Sequence, residues 1–234
     1  MSFPLFYIEE FKPGSSSLIL NEDTSKHVTQ VLRMQKGEKL QLTNGKGKII
    51  TTEIISENKK AAEVKVISTS DIAHQTSHIT IAISLLKNST RFEWFLEKAT
   101  EIGVSAIIPI ICKRTEKQHF RHQRMKAILI SAMLQSQQAW SPSLSEPVKF
   151  KEVIAQSSQQ QKYIAHCIDE DKKHLRNEVL LAGEHLILIG PEGDFTKDEV
   201  DEALQNNFIP VSLGSTRLRT ETAGIVACVL LNAS

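Results

Sequence analysis

Four consecutive apolar residues, Leu186, Ile187, Leu188 and Ile189, stand between His185 and Gly190. In an extended chain neighbouring side chains point to opposite faces, so a strand that is apolar at every position must be covered on both sides. Runs of the same kind occur at "ITIAISLL", from Ile79, and at "VSAIIPIIC", from Val104. Helical patterns separate them. "RFEWFLEKATEIG" puts Phe92, Phe95, Leu96, Ala99 and Ile102 on one face, with Gly103 placed to end the helix. A long helix is predicted from about Arg121 to Trp140. Further strands are predicted at "KYIAHCI" and "IPVSLG", and a helix follows each of the last two strands. Doubly buried strands alternating with helices imply an α/β domain built on a mostly parallel sheet.

The first seventy or so residues follow another grammar. "LFYIEEF", "SLILN", "KLQLTNG", "GKIITTEII" and "AAEVKVIS" are short runs divided by turn formers, and "NGKG", Asn44 to Gly47, is a hairpin turn. A helical insert, "EDTSKHVTQVLRM", carries Val28, Val31 and Leu32 at helical spacing. The pattern reads as a small β-barrel over residues 1–72, joined through the polar, non-periodic stretch Ser68 to His78 to a second domain over 73–234.

Of the 234 residues, 41% are hydrophobic and 24% charged, as in ordinary globular proteins. No apolar run approaches the roughly 18 residues that cross a bilayer, and the start lacks a basic, then apolar, leader pattern. The expected location is the cytoplasm, with no membrane partner. Cys112, Cys167 and Cys228 lie far apart in apolar segments without CxxC spacing and read as small core residues. Neither HExxH nor HxH occurs, so no metal is expected. A net charge of +1 is uninformative by itself. Locally, Cys112 to Lys126 carries Lys113, Arg114, Lys117, Arg121, Arg124 and Lys126 against one acid, Glu116. Such a cluster is either a solvated helix face or a surface that neutralises RNA phosphates.

Two loops could carry chemistry. "GPEGDF" follows the strand ending at Ile189, and Thr196 with Glu199 stands at capping-box spacing behind it. "LGSTRLRTETAG", Leu213 to Gly224, leads into a final helix that is apolar on every side, with Thr220 as its expected N-cap. Ligands of open α/β sheets bind outside the carboxyl ends of strands, where both loops fall. Neither GxGxxG nor GxxxxGK[ST] is present, which argues against a dinucleotide or nucleoside triphosphate. Taken alone, "GPEGD" could be an ordinary strand-to-helix turn. An arginine set against a wholly apolar helix, however, needs a partner or a ligand.

"LIGPEGDF" followed by "SLGSTRLRTETAG" resembles the paired signature of the methyltransferase E family of bacterial 16S ribosomal RNA, the uracil-N3 methyltransferases of the SPOUT superfamily. "HVTQVLRMQKGE", from His27, and "RFEWFLEKATEIGVSAIIPIICKR", from Arg91, are similar to that family's N-terminal and central motifs, in the same order. The resemblance implies a PUA-like N-terminal barrel that binds RNA and a SPOUT domain with a deep trefoil knot. It further implies S-adenosylmethionine as cofactor, a homodimer, and 16S ribosomal RNA or the small ribosomal subunit as partner. Carried over by residue, the cofactor pocket comprises Ile189, Gly190, Pro191, Glu192 and Gly193, then Leu213 and Gly214, then Leu218, Arg219, Thr220, Thr222 and Ala223. Arg219 and Glu221 are the catalytic or substrate-positioning candidates. Arg33, Arg91 and Arg114 match family arginines for RNA phosphates, to which the basic stretch adds Arg121 and Arg124.

Methylation at uracil N3 requires loss of the imino proton from a base that is unpaired or flipped out. A cation such as Arg219 near O2 or O4 would stabilise the anion. Glu221 would hold that arginine or act as base, and a carboxylate beside arginines is the poorer base. Two departures from the family pattern stand out: Gln138 in "LQSQQ" where many members carry arginine, and "GPEGD" where "GPEGG" is common. Another SPOUT methyltransferase, such as a transfer RNA 2′-O-methylating enzyme, and a non-catalytic RNA-binding or assembly factor remain the alternative readings.

Overall fold

The computed structural model describes residues 3–74, 77–168, 171–179 and 183–232. The chain divides into two compact units, one of residues 1–74 with 133–141 and one of residues 75–132 with 142–234.

In the first unit, β1 (Leu5–Tyr7), β2 (Ser17–Ile19), β3 (Lys39–Thr43), β4 (Lys48–Ser56) and β5 (Glu63–Asp71) form one sheet in the order β1-β3-β4-β5-β2. Only β1 with β3 pairs in parallel. Leu40, Leu42, Ile50, Ile54 and Val64 alternate inward along the strands and are fully buried. The expected linker is shorter than its composition suggests. Ser68 to Asp71 ends β5, held in register by Lys48 to Thr51, and Ser77 and His78 open the next strand. These polar residues escape the strand pattern because the end of β5 is exposed on both faces; Gln75 and Thr76 lie outside the described residues.

The helical insert also differs from its periodicity. After α1 (Glu22–Lys26), residues His27–Val31 form a π-helical turn, and Arg33 follows in a left-handed conformation with φ 54°. The wider turn breaks the 3.6-residue register. Val28 is buried as expected, but Val31 and Leu32 face solvent and Met34 enters the core in their place.

The second unit is built on an eight-stranded sheet whose recorded pairings are all parallel. Its strands are β6 (Ser77–Ser84), β7 (Ala106–Ile111), β8 (Ser143–Leu144), β9 (Val148–Lys149), β10 (Gln161–Ala165), β11 (Lys173–His174), β12 (Gly183–Ile189) and β13 (Ile209–Ser212). The order is β11-β13-β10-β12-β6-β7-β8, with β9 also on β7. The apolar run of β12 faces two cores: Ile187 and Ile189 join one, Leu186 and Leu188 the other. Residues of α2 (Ser89–Ile102), α3 (His122–Gln135), α5 (Leu175–Glu178) and α7 (Thr220–Asn232) close the first core. Those of α4 (Phe150–Gln156) and α6 (Lys197–Gln205) close the second.

Several helix ends follow their sequence signals. Gly103 caps α2 at φ 92°, and Thr196 with Glu199 makes a complete capping box on α6. Two differ. α3 stops at Gln135 instead of about Trp140, because Gln137 turns left-handed at φ 58° and the Gln138 amide donates back to Met133 O. This is a Schellman-type ending without glycine. The residues beyond belong to the first unit, where Trp140 bridges Lys46 and its indole N–H donates to Ile72 O. Thr220 is already helical; Arg219 holds the cap position, and its carbonyl accepts the Ala223 amide at 2.8 Å.

Candidate active site

Ala165, Ile189 and Val211 stand side by side in register across β12, β10 and β13. The chain therefore leaves three neighbouring parallel strands at the same edge. The loops after β12 and β13 flank the carboxyl end of β10, and a cleft opens between them. It has two lobes, of about 320 and 510 Å³, which share Ala165, Cys167, Arg217, Leu218 and Ala223. Ligand pockets span roughly 300–1,000 Å³.

The smaller lobe gathers Ile189, Gly190, Pro191, Glu192, Leu218, Arg219, Thr220 and Ala223 from the residues singled out by sequence, with Arg91. The larger takes Leu213, Gly214, Leu218 and Ala223. Gly193, Thr222 and the catalytic candidate Glu221 are not on either wall. Gly193 serves the loop: a Cβ there would meet Arg114 Cδ at 3.3 Å, and its carbonyl accepts Arg114 Nη1 at 2.6 Å. Arg114 thus braces the 190–195 loop and also reaches Phe195 O. Glu192 accepts the Lys87 amide at 3.0 Å, which ties the loop to the lead-in of α2.

The departure at Asp194 has a structural explanation. Its φ is 63°, in the left-handed region where glycine is free and aspartate is among the tolerated side chains. Its Oδ2 accepts the Cys167 amide at 2.7 Å, and Oδ1 accepts the Phe195 amide at 2.8 Å. The carboxylate therefore joins the loop after β12 to the loop after β10.

Cys167 itself is exposed on the cleft wall, which corrects its assignment to the core. The apolar pattern misled because strand β10 ends at Ala165, two residues earlier. Burial pushes the thiols of Cys112 and Cys228 well up from the usual range. Sequence reasoning also missed Ala165, His166, Lys172 and Arg217 as cleft residues. The carboxyl-end rule applied to "KYIAHCI" would have found the first two.

Glu221 is 6% exposed, and its Oε1 lies 3.7 Å from Arg91 Nε. Among the described residues no hydrogen-bond donor reaches its Oε2. The expectation that Glu221 holds Arg219 is not met, since Arg91 is the arginine beside it. Arg217 and Arg219 are exposed and make no ion pair or side-chain hydrogen bond among the described residues. Of the other arginines, Arg124 is held bidentately by Glu93 at 2.6 and 2.9 Å, which pulls that carboxyl below the usual range. Arg121 donates to His119 Nε2, and Arg33 is exposed in the first unit.

The walls suit a ligand with a flat heterocycle and a charged tail. Leu213, Leu218 and Ile189 supply apolar surface, Gly214 leaves open space at φ 147°, and arginines line the smaller lobe. The Oε2 of Glu221 is buried behind the cleft wall without a hydrogen-bond partner among the described residues, which calls for an explanation.

Comparison with known proteins agrees with this geometry. Residues 73–232 match the family model of the RNA methyltransferase domain, and 20–67 that of the RNA methyltransferase PUA domain. The ribosomal RNA small subunit methyltransferase E of Rickettsia conorii is 27% identical over 230 residues, covering 97% of this chain and 94% of that protein. A crystal structure of a "probable rRNA-methyltransferase" from Porphyromonas gingivalis shares 38% identity over 98% of each chain at TM-score 0.91. A ribosomal RNA small subunit methyltransferase E from Neisseria gonorrhoeae, bound to S-adenosyl methionine, shares 27% identity over 99% of this chain and 97% of that one at TM-score 0.87. With the site motifs placed on one cleft and the likeness running the length of the chain, the protein belongs to the RNA methyltransferase family, in the group of the ribosomal RNA small subunit methyltransferases E.

Proposed function

We propose that the protein uses S-adenosylmethionine to methylate N3 of a uridine in 16S ribosomal RNA of the small ribosomal subunit. The observation that carries this reading is the meeting of both loop motifs on one cleft at the carboxyl ends of β10, β12 and β13. The cofactor, when bound, supplies a methyl group on a positively charged sulfur. Ile189, Leu213 and Leu218 would pack on its adenine, and the backbone of Gly190 to Glu192 and of Gly214 would read the ring edge. The target uridine enters unpaired, since N3 is occupied in a base pair. Arg219, on the cleft wall, and Glu221, buried behind it, position it.

Residues 1–72 form the RNA-binding domain and 73–234 the catalytic domain, in which the last strand and helix thread a trefoil knot. Arg33 and Arg121 are the arginines left free enough to meet RNA phosphates; Arg114 and Arg124 act mainly within the protein. The enzyme works as a cytoplasmic homodimer. Incubating small subunits that lack the modification with the protein and labelled S-adenosylmethionine, then digesting the RNA for nucleoside mass spectrometry, tests the reading. 3-Methyluridine is the expected product. A ribose-methylated nucleoside would place the protein with another RNA target, and calorimetry showing no cofactor binding would make it a binding factor.

A further inference from the structure

We propose that Glu221 is a positioning residue that holds Arg91 in the cleft. Arg91, so held, is the cation that faces the negative charge developing on the uracil ring when N3 gives up its proton. The second statement rests on the function proposed above; the first stands on geometry alone.

Three contacts align α2 with α7. Arg91 meets Glu221 in their first turns, Phe95 meets Gly224 one turn on, and Ile102 O accepts Asn232 Nδ2 at their far ends. The two helices therefore run parallel, and both N-termini arrive at the cleft. Residues four apart on α2 and three apart on α7 share a face, so the close approach at Gly224 also fixes the spacing of Arg91 from Glu221. A Cβ at Gly224 would lie 2.6 Å from Phe95 Cε2, and Phe95 is fully buried, so this spacing is rigid.

The pair is poorly designed for stability. A buried carboxylate is normally matched by hydrogen bonds to both oxygens. Here one oxygen has an arginine at 3.7 Å, beyond hydrogen-bond reach, and the other has no donor. Such an anion can still fix the direction of a guanidinium, leaving its remaining N–H groups turned to the cleft that Arg91 lines. Arg217 and Arg219, which line the same lobe, have no carboxylate to fix them among the described residues. Of the three arginines Arg91 is the one with a carboxylate beside it, and a charge oriented in advance is what stabilises a transition state.

The balance of charge fits. The ring loses the N3 proton to water and carries a negative charge over O2, N3 and O4. It becomes neutral again once the N3 pair has bonded to the methyl carbon and the carbon–sulfur pair has returned to sulfur. A fixed cation beside O2 or O4 favours that interval, together with the positive ends of two helices.

Arginine Nε resonances of the free protein and single-turnover rates on small subunits test the two statements. In the wild type, the Arg91 Nε–H should be more rigid by nitrogen-15 relaxation than those of Arg217 and Arg219, and the difference should vanish in E221Q. An Arg91 signal as mobile as the other two in the wild type would overturn the holding role. R91A should lower the methyl-transfer rate by about 10²–10³-fold, with S-adenosylmethionine affinity within about threefold, and added guanidinium ion should restore part of it. E221Q should slow transfer about tenfold on its own and scarcely at all in the R91A background, as expected for residues acting as one unit. A rate that R91A leaves within about threefold, or an E221Q effect that persists undiminished in R91A, would overturn the charge role. A wild type that transfers no methyl group would overturn the proposed function and the charge role with it, while the resonances still decide the pairing.

Discussion

Asp194 shows how a single side chain substitutes for a conformational freedom. At φ 63° an alanine is strained by about 1–2 kcal/mol. A hydrogen bond to a charged group contributes about 1.5–3 kcal/mol. Asp194→Ala loses the bond to the Cys167 amide and keeps the left-handed backbone, so urea unfolding should find it about 1.5–3 kcal/mol less stable. Asp194→Asn keeps an acceptor oxygen and tolerates the left-handed backbone, and should lose under about 1 kcal/mol. Equal losses in the two variants would sink the account. Cys167 invites a second measurement at the same place. Alkylation with iodoacetamide, followed by peptide mass spectrometry, should label Cys167 and spare Cys112 and Cys228, whose burial keeps them as thiols. S-Adenosylmethionine should slow the labelling about tenfold or more if the cleft is its site, because the thiol lies on both lobes. Labelling at an unchanged rate under saturating cofactor would place the cofactor elsewhere.

Helices and strands were legible where their signals are local. The face of Phe92, Phe95, Leu96 and Ala99 and its Gly103 cap form as read, as does the capping box of α6. Readings failed where distant chain decides the outcome. The π-helical turn at His27 cannot be seen in a 3.6-residue pattern, and the left-handed Gln137 ends α3 with a residue type that carries no stop signal. Gly224 is the reverse case, since its place in "TETAG" looks like loop chemistry and is in fact a helix contact. Alanine in mid-helix is intrinsically favoured over glycine by about 1 kcal/mol. Against that, the new methyl would stand 2.6 and 2.9 Å from the Phe95 ring and 3.0 Å from Ile83 Cδ1, in a site with no room to yield. Overpacking of this kind costs about 1–3 kcal/mol. Gly224→Ala should therefore be destabilised by up to about 2 kcal/mol in urea unfolding, and its methyl transfer should slow as Arg91 and Glu221 are pushed apart. A stabilised Gly224→Ala would mean that helix propensity outweighs the packing.

At the scale of the whole molecule, sequence carried the class of fold and the site loops, because doubly apolar strands and glycine-rich strand ends are local properties with global consequences. It could not carry strand order, since β12 lies between β10 and β6 through pairings that no periodicity encodes. Nor does pattern disclose what a buried polar group does to the folding equilibrium, and His185 is the case in point. It reads as the polar start of an apolar strand, yet it is fully buried, stacks on Tyr163 at 6.5 Å, and has no hydrogen-bond partner on either ring nitrogen among the described residues. Burial lowers its pKa from the ordinary value of 6.5, because an imidazolium there would lose its hydration without gaining an acceptor. The unfolded chain then binds a proton at His185 more readily than the folded one, so stability rises with pH between the folded pKa and 6.5. The contribution is complete above about pH 6.5 and is lost progressively as pH falls below it. Urea unfolding from pH 8 to pH 5 should show the wild type weakening below about pH 6.5. His185→Leu, which removes the titrating group while filling the same apolar space, should weaken less over that window, so that the difference between the two stability curves changes towards the acid end. Parallel curves would mean that His185 takes up its proton in the fold as easily as in the open chain, by finding an acceptor such as the carbonyls at the start of β12.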